Sequence, residues 1–317
     1  MDLLTTGNNA FLTIDTGGTY LKSAVIDSKG EVLDGSHVTV KSNSAGSKDK
    51  ILHAFREIIL KGLEIINSRG ARLEGIGVAF PGPFDYLNGV PQMEHKFMSI
   101  YGLKLREFFR KIPGVSNDIP ISFINDAHAV LSGELWKGNA QGFANSAVVT
   151  IGTGLGFAFS KDGIVQCNSW GGPPVTIFRL PYKDGILEDF TARRGFLKIY
   201  SEISGKRKEG IDVSDLGKWA DAGDKDSIMT FRTVGSILTE AIENILIERD
   251  IQCLLLGGQI SRSFRHMQET LSRGLRDVKC LKKISMVKSI DNAPLLGALK
   301  AIEKTKLNYN NLNPNQL

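Results

Sequence analysis

The sequence predicts an α/β protein built as two domains, and three observations carry that prediction. Apolar strand-like runs alternate with segments whose apolar residues recur at helical spacing, the pattern of sheets packed against helices. The chain has 317 residues, more than one core usually serves, since single cores stop growing near ~250–300 residues. Finally, Thr13-Ile14-Asp15-Thr16-Gly17 resembles Thr150-Ile151-Gly152-Thr153-Gly154. Each stretch sits between two apolar strands, as expected of a duplicated architecture whose two loops face across a cleft.

In chain order, Phe11–Asp15 and Tyr20–Asp27 read as strands joined by a glycine loop, and Glu31–Val40 as a third strand after the Ser28–Gly30 turn. Ile51, Leu52, Phe55, Ile58, Ile59, Leu63 and Ile66 give Lys48–Ser68 a helical stripe. Gly75–Phe80 is a buried strand stopped by Pro81-Gly82-Pro83. Leu103–Lys111 reads as a short helix, Ile119–Ile124 as a strand ending in Asn125-Asp126, and Ala127–Trp136 as a helix. Ser146–Ile151 is a strand, followed by Gly152-Thr153-Gly154-Leu155-Gly156 and a second strand to Ser160. Asp226–Glu248 is a long amphipathic helix, Cys253–Leu256 a short strand before Gly257-Gly258, and Ala293–Ile302 a closing helix. The expected division is an N-terminal α/β domain over 1–126, completed by the C-terminal helix from about 293 to 317, and a second α/β domain over 127–292.

Composition narrows the class. Apolar residues make up 42% and charged residues 23%, ordinary for a soluble globular chain. The net charge of +5 and the isoelectric point near 9.0 would favour anionic ligands, although a solvated surface with extra lysines explains them as well. Lys206-Arg207-Lys208 reads as an exposed loop. Cys167, Cys253 and Cys280 lie far apart with no CxxC spacing, which argues against a zinc knuckle and a disulfide framework. No apolar run approaches the ~18 residues of a membrane span. The start, MDLLTTGNNA, lacks the pattern of a secretory signal, so a cytoplasmic protein is expected, and the polar tail NYNNLNPNQL is expected to fray.

The glycine loops suggest the chemistry. A glycine-rich turn exposes successive backbone N–H groups as an anion nest. Thr16, Gly17, Gly18 and Thr19 would offer donors to a phosphate. Asp15, at the strand end, would meet a Mg²⁺ ion bridging phosphates, directly or through water. Gly152 takes the Asp15 position in the second loop, so one metal carboxylate is expected. Either loop alone is explained as a tight hairpin; the matched pair together with Asp15 favours phosphate. Asp126 opens a helix, where it would serve as a cap. Beside Asn125 it would also suit gripping neighbouring hydroxyls and taking a proton from the one that attacks phosphorus. The two roles are compatible.

Five motifs in order complete the picture: Asp15-Thr16-Gly17-Gly18-Thr19, Pro81-Gly82-Pro83, Asn125-Asp126-Ala127, Gly152-Thr153-Gly154-Leu155-Gly156 and Leu256-Gly257-Gly258-Gln259-Ile260-Ser261. Together they resemble the ROK family of sugar kinases and sugar-responsive repressors, over roughly residues 10–303. The resemblance implies a two-domain ribonuclease H-like fold of the actin-like ATPase type with an interdomain cleft. It implies ATP-dependent phosphorylation of a hexose or N-acetylhexosamine, with Asp126 as base. It places Gly82, Asn125, Asp126 and Glu188 at the sugar. Asp15 with Thr16–Thr19 would hold Mg²⁺–phosphate, Gly152, Thr153 and Gly154 the other phosphate face, and Gly257 and Gly258 the adenosine. A homodimer is implied, with no nucleic-acid or membrane partner.

The departures are equally specific. Many members carry a Glu-x-Gly-His pair and a CxCGxxGC zinc site before the last sugar-binding Glu. Here Gly171–Thr176 is followed by IFRLPYKDG, and Cys167 lies too early to substitute. No zinc is expected, and the sugar pocket must be remodelled. His95, in Met93-Glu94-His95-Lys96, would fill part of the lost role, although it reads better as a surface residue. A sugar-binding regulator without catalysis is the alternative. Against it, both acidic residues are present and only ten residues precede Phe11, too few for a DNA-binding helix-turn-helix domain. A non-sugar ATPase also shares the phosphate loops.

Overall fold

A computed structural model describes residues 9–205 and 210–311. The Lys206-Arg207-Lys208 cluster, the first eight residues and the end of the polar tail lie outside the described residues. The chain divides into two compact units. Of the described residues, the first takes those up to Gly133, the short segment Cys167–Gly172 and those from Asp291 onward; the second takes those within Glu134–Gln166 and Pro173–Ile290.

The first unit contains β1 (Asn9–Thr16), β2 (Tyr20–Asp27), β3 (Val38–Lys41), α1 (Lys48–Ser68), β4 (Arg72–Phe80), the small pair β5 (Phe84–Asp85) and β6 (Val90–Pro91), α2 (Leu105–Arg110) and β7 (Ile121–Asn125). It also holds the start of α3 (Asp126–Lys137) and, from the end of the chain, α9 (Ala293–Asn311). The sheet order is β3-β2-β1-β4-β7. β1 pairs antiparallel with β2 and parallel with β4, and β4 runs parallel to β7. The apolar stripe of α1, Ile51, Phe55, Ile58, Ile59 and Ile66, is buried against this sheet, and Phe80, Phe97 and Phe109 fill the same core.

The third strand is shorter than its sequence suggests. Asp34-Gly35 turns the chain, with Gly35 in the left-handed region at φ 71°, and only Val32 bridges back, to Ile26. The Ser36 hydroxyl takes the Val25 amide and returns a bond to the Val25 carbonyl, standing in for ladder bonds that β3 makes only from Val38.

The second unit repeats the plan. Its elements are β8 (Ser146–Ile151), β9 (Leu155–Lys161), β10 (Ile164–Val165), the pair β11 (Pro181–Tyr182) and β12 (Gly185–Ile186), α4 (Leu187–Thr191), α5 (Arg193–Ser204), α6 (Val213–Asp221), α7 (Lys225–Glu248), β13 (Cys253–Gly257), α8 (Arg265–Gly274) and β14 (Lys283–Met286). The sheet order β10-β9-β8-β13-β14 matches the first sheet strand for strand: an antiparallel meander on one side, parallel strands on the other. Phe157, Phe196, Phe231, Leu254 and Met267 lie in its core. The internal similarity of the two glycine hairpins is therefore a repeat of topology.

Candidate functional site

In the first unit the carboxyl ends of three strands lie side by side. Asp15 is in register with Ala79, Ala79 with Ile124, and Phe80 with Asn125. Asp15, Gly82, Asn125 and Asp126 therefore gather at one edge of one sheet. Open α/β sheets bind ligands beyond the carboxyl ends of their strands, and this edge is where β1 parts its parallel from its antiparallel neighbour.

The loop leaving β1 is held from within. The Gly17 amide donates to the Tyr20 carbonyl at 2.9 Å, and a Cβ on Gly17 would stand 2.8 Å from that oxygen, so the turn closes only over a glycine. The Gly18 carbonyl accepts from both Ser42 Oγ and Ser44 Oγ. Among the described residues the amides of Gly18 and Thr19 donate to nothing. The buried Thr16 Oγ1 has no partner. Three donors thus stay free in a fixed turn, the arrangement of an anion nest.

Two carboxylates flank it. No described residue donates a hydrogen bond to the Asp15 carboxylate, which is raised from 3.8 to about 7. Burial is the largest cause and the charge of Asp126 the next; Lys22 opposes them and Asp291 adds to them. Lys22 stands opposite Asp15 on β2 and binds Asp291 at 3.1 Å. Asp126 is also raised, again by burial, while the Ala127 amide and the Lys96 ammonium pull it down. A half-buried carboxylate that lacks donors is suited to a hard cation.

Asn125 anchors the start of α3. Its Oδ1 accepts the amides of Ala127 at 3.1 Å and His128 at 3.2 Å, so Asn125 holds the cap position that the sequence assigned to Asp126. The Asp126 carboxylate accepts the Ala127 amide at 2.9 Å. Asn125 Nδ2 donates to Tyr86 Oη at 3.0 Å, and Tyr86 Oη donates to the Phe80 carbonyl at 3.0 Å. A Cβ on Gly82 would lie 3.3 Å from that same Oη. Burial, then the charge of Asp126, push the Tyr86 hydroxyl above its ordinary value, so it remains a neutral donor.

The segment Cys167–Gly172 closes on Tyr86. Asn168 Oδ1 takes the amides of Trp170 and Gly172, and the Trp170 carbonyl takes the Tyr86 amide at 3.1 Å. His128 Nδ1 lies 3.6 Å from Cys167 Sγ. Burial lowers His128 to about 4, which keeps it neutral. His95 is exposed, as its surface reading anticipates.

In the second unit Glu188 lies on the other glycine loop. Its Oε2 accepts the Leu155 amide at 2.8 Å, and a Cβ on Gly154 would stand 2.8 Å from the same oxygen. The Gly152 carbonyl takes the Arg193 amide at 3.0 Å. Gly258 is left-handed at φ 81°, and a Cβ there would come within 2.4 Å of the Ile151 carbonyl, so Gly257-Gly258 lies directly against the end of β8. Among the described residues no three His, Cys, Asp or Glu side chains group as metal ligands. Sequence reasoning missed Tyr86 and Lys96. Tyr86 follows the Pro-Gly-Pro break closely enough to have been noticed; Lys96 carries no local signal.

A family model described as the ROK family matches residues 11–172. The glucokinase of Halalkalibacterium halodurans is 24% identical over 275 residues, covering 80% of this chain and 81% of its own. A ROK family glucokinase from Streptomyces griseus, solved with glucose and AMPPNP, superposes with a TM-score of 0.79 at 18% identity, covering 93% of this chain and 99% of its own. A ROK family transcriptional regulator homologous to the E. coli MLC protein gives 0.81 at 19% identity, covering 95% of this chain and 80% of its own.

Proposed function

The chain belongs to the ROK family and has its two-domain, actin-like ATPase fold, and from that premise we propose that it is an ATP-dependent sugar kinase acting on a hexose or an N-acetylhexosamine. One observation carries the reading: Asp126 lies at the same sheet edge as Asp15 and its free anion nest, close enough for their charges to interact. Kinase and regulator share the fold, so fold does not choose between them. A base placed beside a phosphate loop is what transfer requires and what binding alone does not.

In this reading the acceptor hydroxyl is held by Asn125, Asp126 and the backbone at Gly82. Its oxygen forms a bond to the γ-phosphorus as the β–γ bridging P–O bond breaks. The bridging electron pair leaves with ADP, and the hydroxyl proton passes to the Asp126 carboxylate. The raised affinity of Asp126 for a proton suits that transfer. Asp15 would hold Mg²⁺, which neutralises phosphate charge when bound. Thr16–Thr19 would donate to the phosphates, Gly152–Gly154 would also serve phosphate, and Gly257-Gly258 would admit the adenosine. Glu188, anchored on Leu155, would meet the sugar through its remaining oxygen. The same proposal includes a homodimer in the cytoplasm without bound zinc. Among the described residues no helix is long and apolar enough to cross a membrane.

The test is ADP release coupled to a reporter over a panel of glucose, fructose, mannose, allose and their N-acetylated amines. Turnover of one sugar above the ATPase background supports the kinase. Saturable sugar binding without turnover would transfer the assignment to the regulator.

A further inference from the structure

Lys96 stands beside the phosphate loop and the candidate base, and its surroundings give it a role. Its side chain lies along the bare face of Gly18: a Cβ built there would meet Lys96 Cδ at 3.5 Å, Cε at 3.6 Å and Nζ at 3.8 Å. Among the described residues its ammonium makes no ion pair or hydrogen bond. It is half-buried and faces two structures in need of charge. One is the nest of free donors at Thr16, Gly18 and Thr19; the other is the Asp126 carboxylate, on which its charge acts.

The placement is built in. Phe97 and Met93, on either side, are buried in the first core. Phe97 packs on Phe80 with ring centroids 5.2 Å apart. Its backbone is in the left-handed region at φ 54°, a conformation that costs energy in a bulky residue and is retained only where the surroundings enforce it. The Phe97 amide donates to the Ser44 carbonyl at 2.7 Å, and Ser44 Oγ in turn donates to the Gly18 carbonyl. Lys96 and the glycine loop are thus tied by two consecutive hydrogen bonds through one serine.

We propose that Lys96 is a catalytic residue of this chain: its ammonium binds the phosphoryl group as that group passes from the Gly18 loop to the acceptor hydroxyl at Asp126. A cation that makes no ion pair among the described residues, laid over an anion nest, is completed by an anion. The proposal rests on the kinase reading for the step and on its own geometry for the anion. In the step, the acceptor O–P bond forms, the bridging P–O bond breaks toward ADP, and the proton goes to Asp126. Lys96 keeps all its protons and offsets charge on the non-bridging oxygens. That charge develops where a fixed donor is most effective.

Two measurements test it on the full chain. In the first, inorganic tripolyphosphate without metal raises the melting temperature of the wild type, because a ligand that binds only the folded state stabilises it. Lys96→Met and Lys96→Gln lose most of that shift, while Lys96→Arg keeps a substantial part. In the second, on the sugar that the panel identifies, Lys96→Met lowers kcat by about 10²-fold, the typical loss when one donor to developing charge is removed. The KM for sugar stays within about threefold, since the contact forms at the phosphate. If the wild type turns over no sugar, the kinase reading fails while the tripolyphosphate shift still decides the anion site. A shift that survives in Lys96→Met, or near wild-type turnover in that variant, overturns the proposal.

Discussion

Asn125 Oδ1 accepts the His128 amide at 3.2 Å, so the cap of α3 and the candidate base are two different side chains. This separates the helix cap from the candidate base at adjacent positions. Asp126→Asn leaves the cap untouched and removes only the charge. Turnover should fall by ~10²–10⁴-fold, the usual contribution of a general base, with the thermal melt nearly unchanged. A folded variant with wild-type turnover would remove Asp126 from the mechanism.

Asn125→Ala should do the reverse of a clean catalytic lesion. It strips two helix amides of their acceptor and leaves the Tyr86 hydroxyl without its donor. Losing a cap costs about 0.5–2 kcal/mol, and a buried polar group left short of a partner adds about 1–3 kcal/mol. Urea unfolding should show a loss at the upper part of that range, together with loss of sugar affinity. Tyr86→Phe, which removes one hydroxyl, should cost less.

The two hairpins, their glycine loops, α1 and α7 were legible because period-2 and period-3.6 patterns survive in single segments. Asp15 and Asp126 were legible as carboxylates at strand ends. What was not legible depends on distant partners. Lys96 matters only because Phe97 is pinned to Ser44 and Ser44 to Gly18. Cys167–Gly172 joins the first unit although both flanking segments belong to the second, through a bond to Tyr86 that no local pattern announces. The cap of α3 went to Asn125 because its side chain lies one residue earlier, where an N-cap must be. The start of α6 did carry a signal: Asp212 and Asp215 form a capping box that the sequence reading passed over.

α3 and α9 meet backbone to backbone. A Cβ on Gly297 would lie 1.8 Å from the Ala129 carbonyl oxygen, and one on Gly133 would lie 2.3 Å from that of Ala293. Neither neighbour is a flexible side-chain end, so the helices would have to separate. Gly297→Ala should therefore destabilise by more than the ~1–3 kcal/mol of ordinary overpacking, despite the better helix propensity of alanine. A variant as stable as wild type in urea would show that the helices part easily.

Zinc should be absent from the purified protein. A structural site needs four ligands, usually thiolates or imidazoles. None of Cys167, Cys253 and Cys280 is in a disulfide, and among the described residues no ligand group forms. Elemental analysis finding one zinc per chain would contradict this.

Asp15 gives the pH dependence. Its carboxyl is raised from 3.8 to about 7 in the folded state, by burial first and then by Asp126. Between those values the folded protein holds a proton that the unfolded chain has released. Stability from this group is therefore complete below about pH 4 and falls as pH rises to about 7. His128 acts with the opposite sign: burial lowers it from 6.5 to about 4, so its share is lost as pH falls through that window. Comparing wild type with Asp15→Asn isolates the carboxyl. The wild type should lose stability relative to the variant as pH rises from about 4 to about 7, followed by urea midpoints. Above about pH 7 the ionised carboxylate should bind Mg²⁺. Magnesium chloride should then raise the melting temperature of wild type and leave Asp15→Asn unmoved, with potassium chloride at equal ionic strength as control. Asp15→Ala should likewise weaken use of Mg²⁺–ATP while sugar affinity stays near wild type. If sugar affinity fell and nucleotide use survived, Asp15 would belong to the acceptor side.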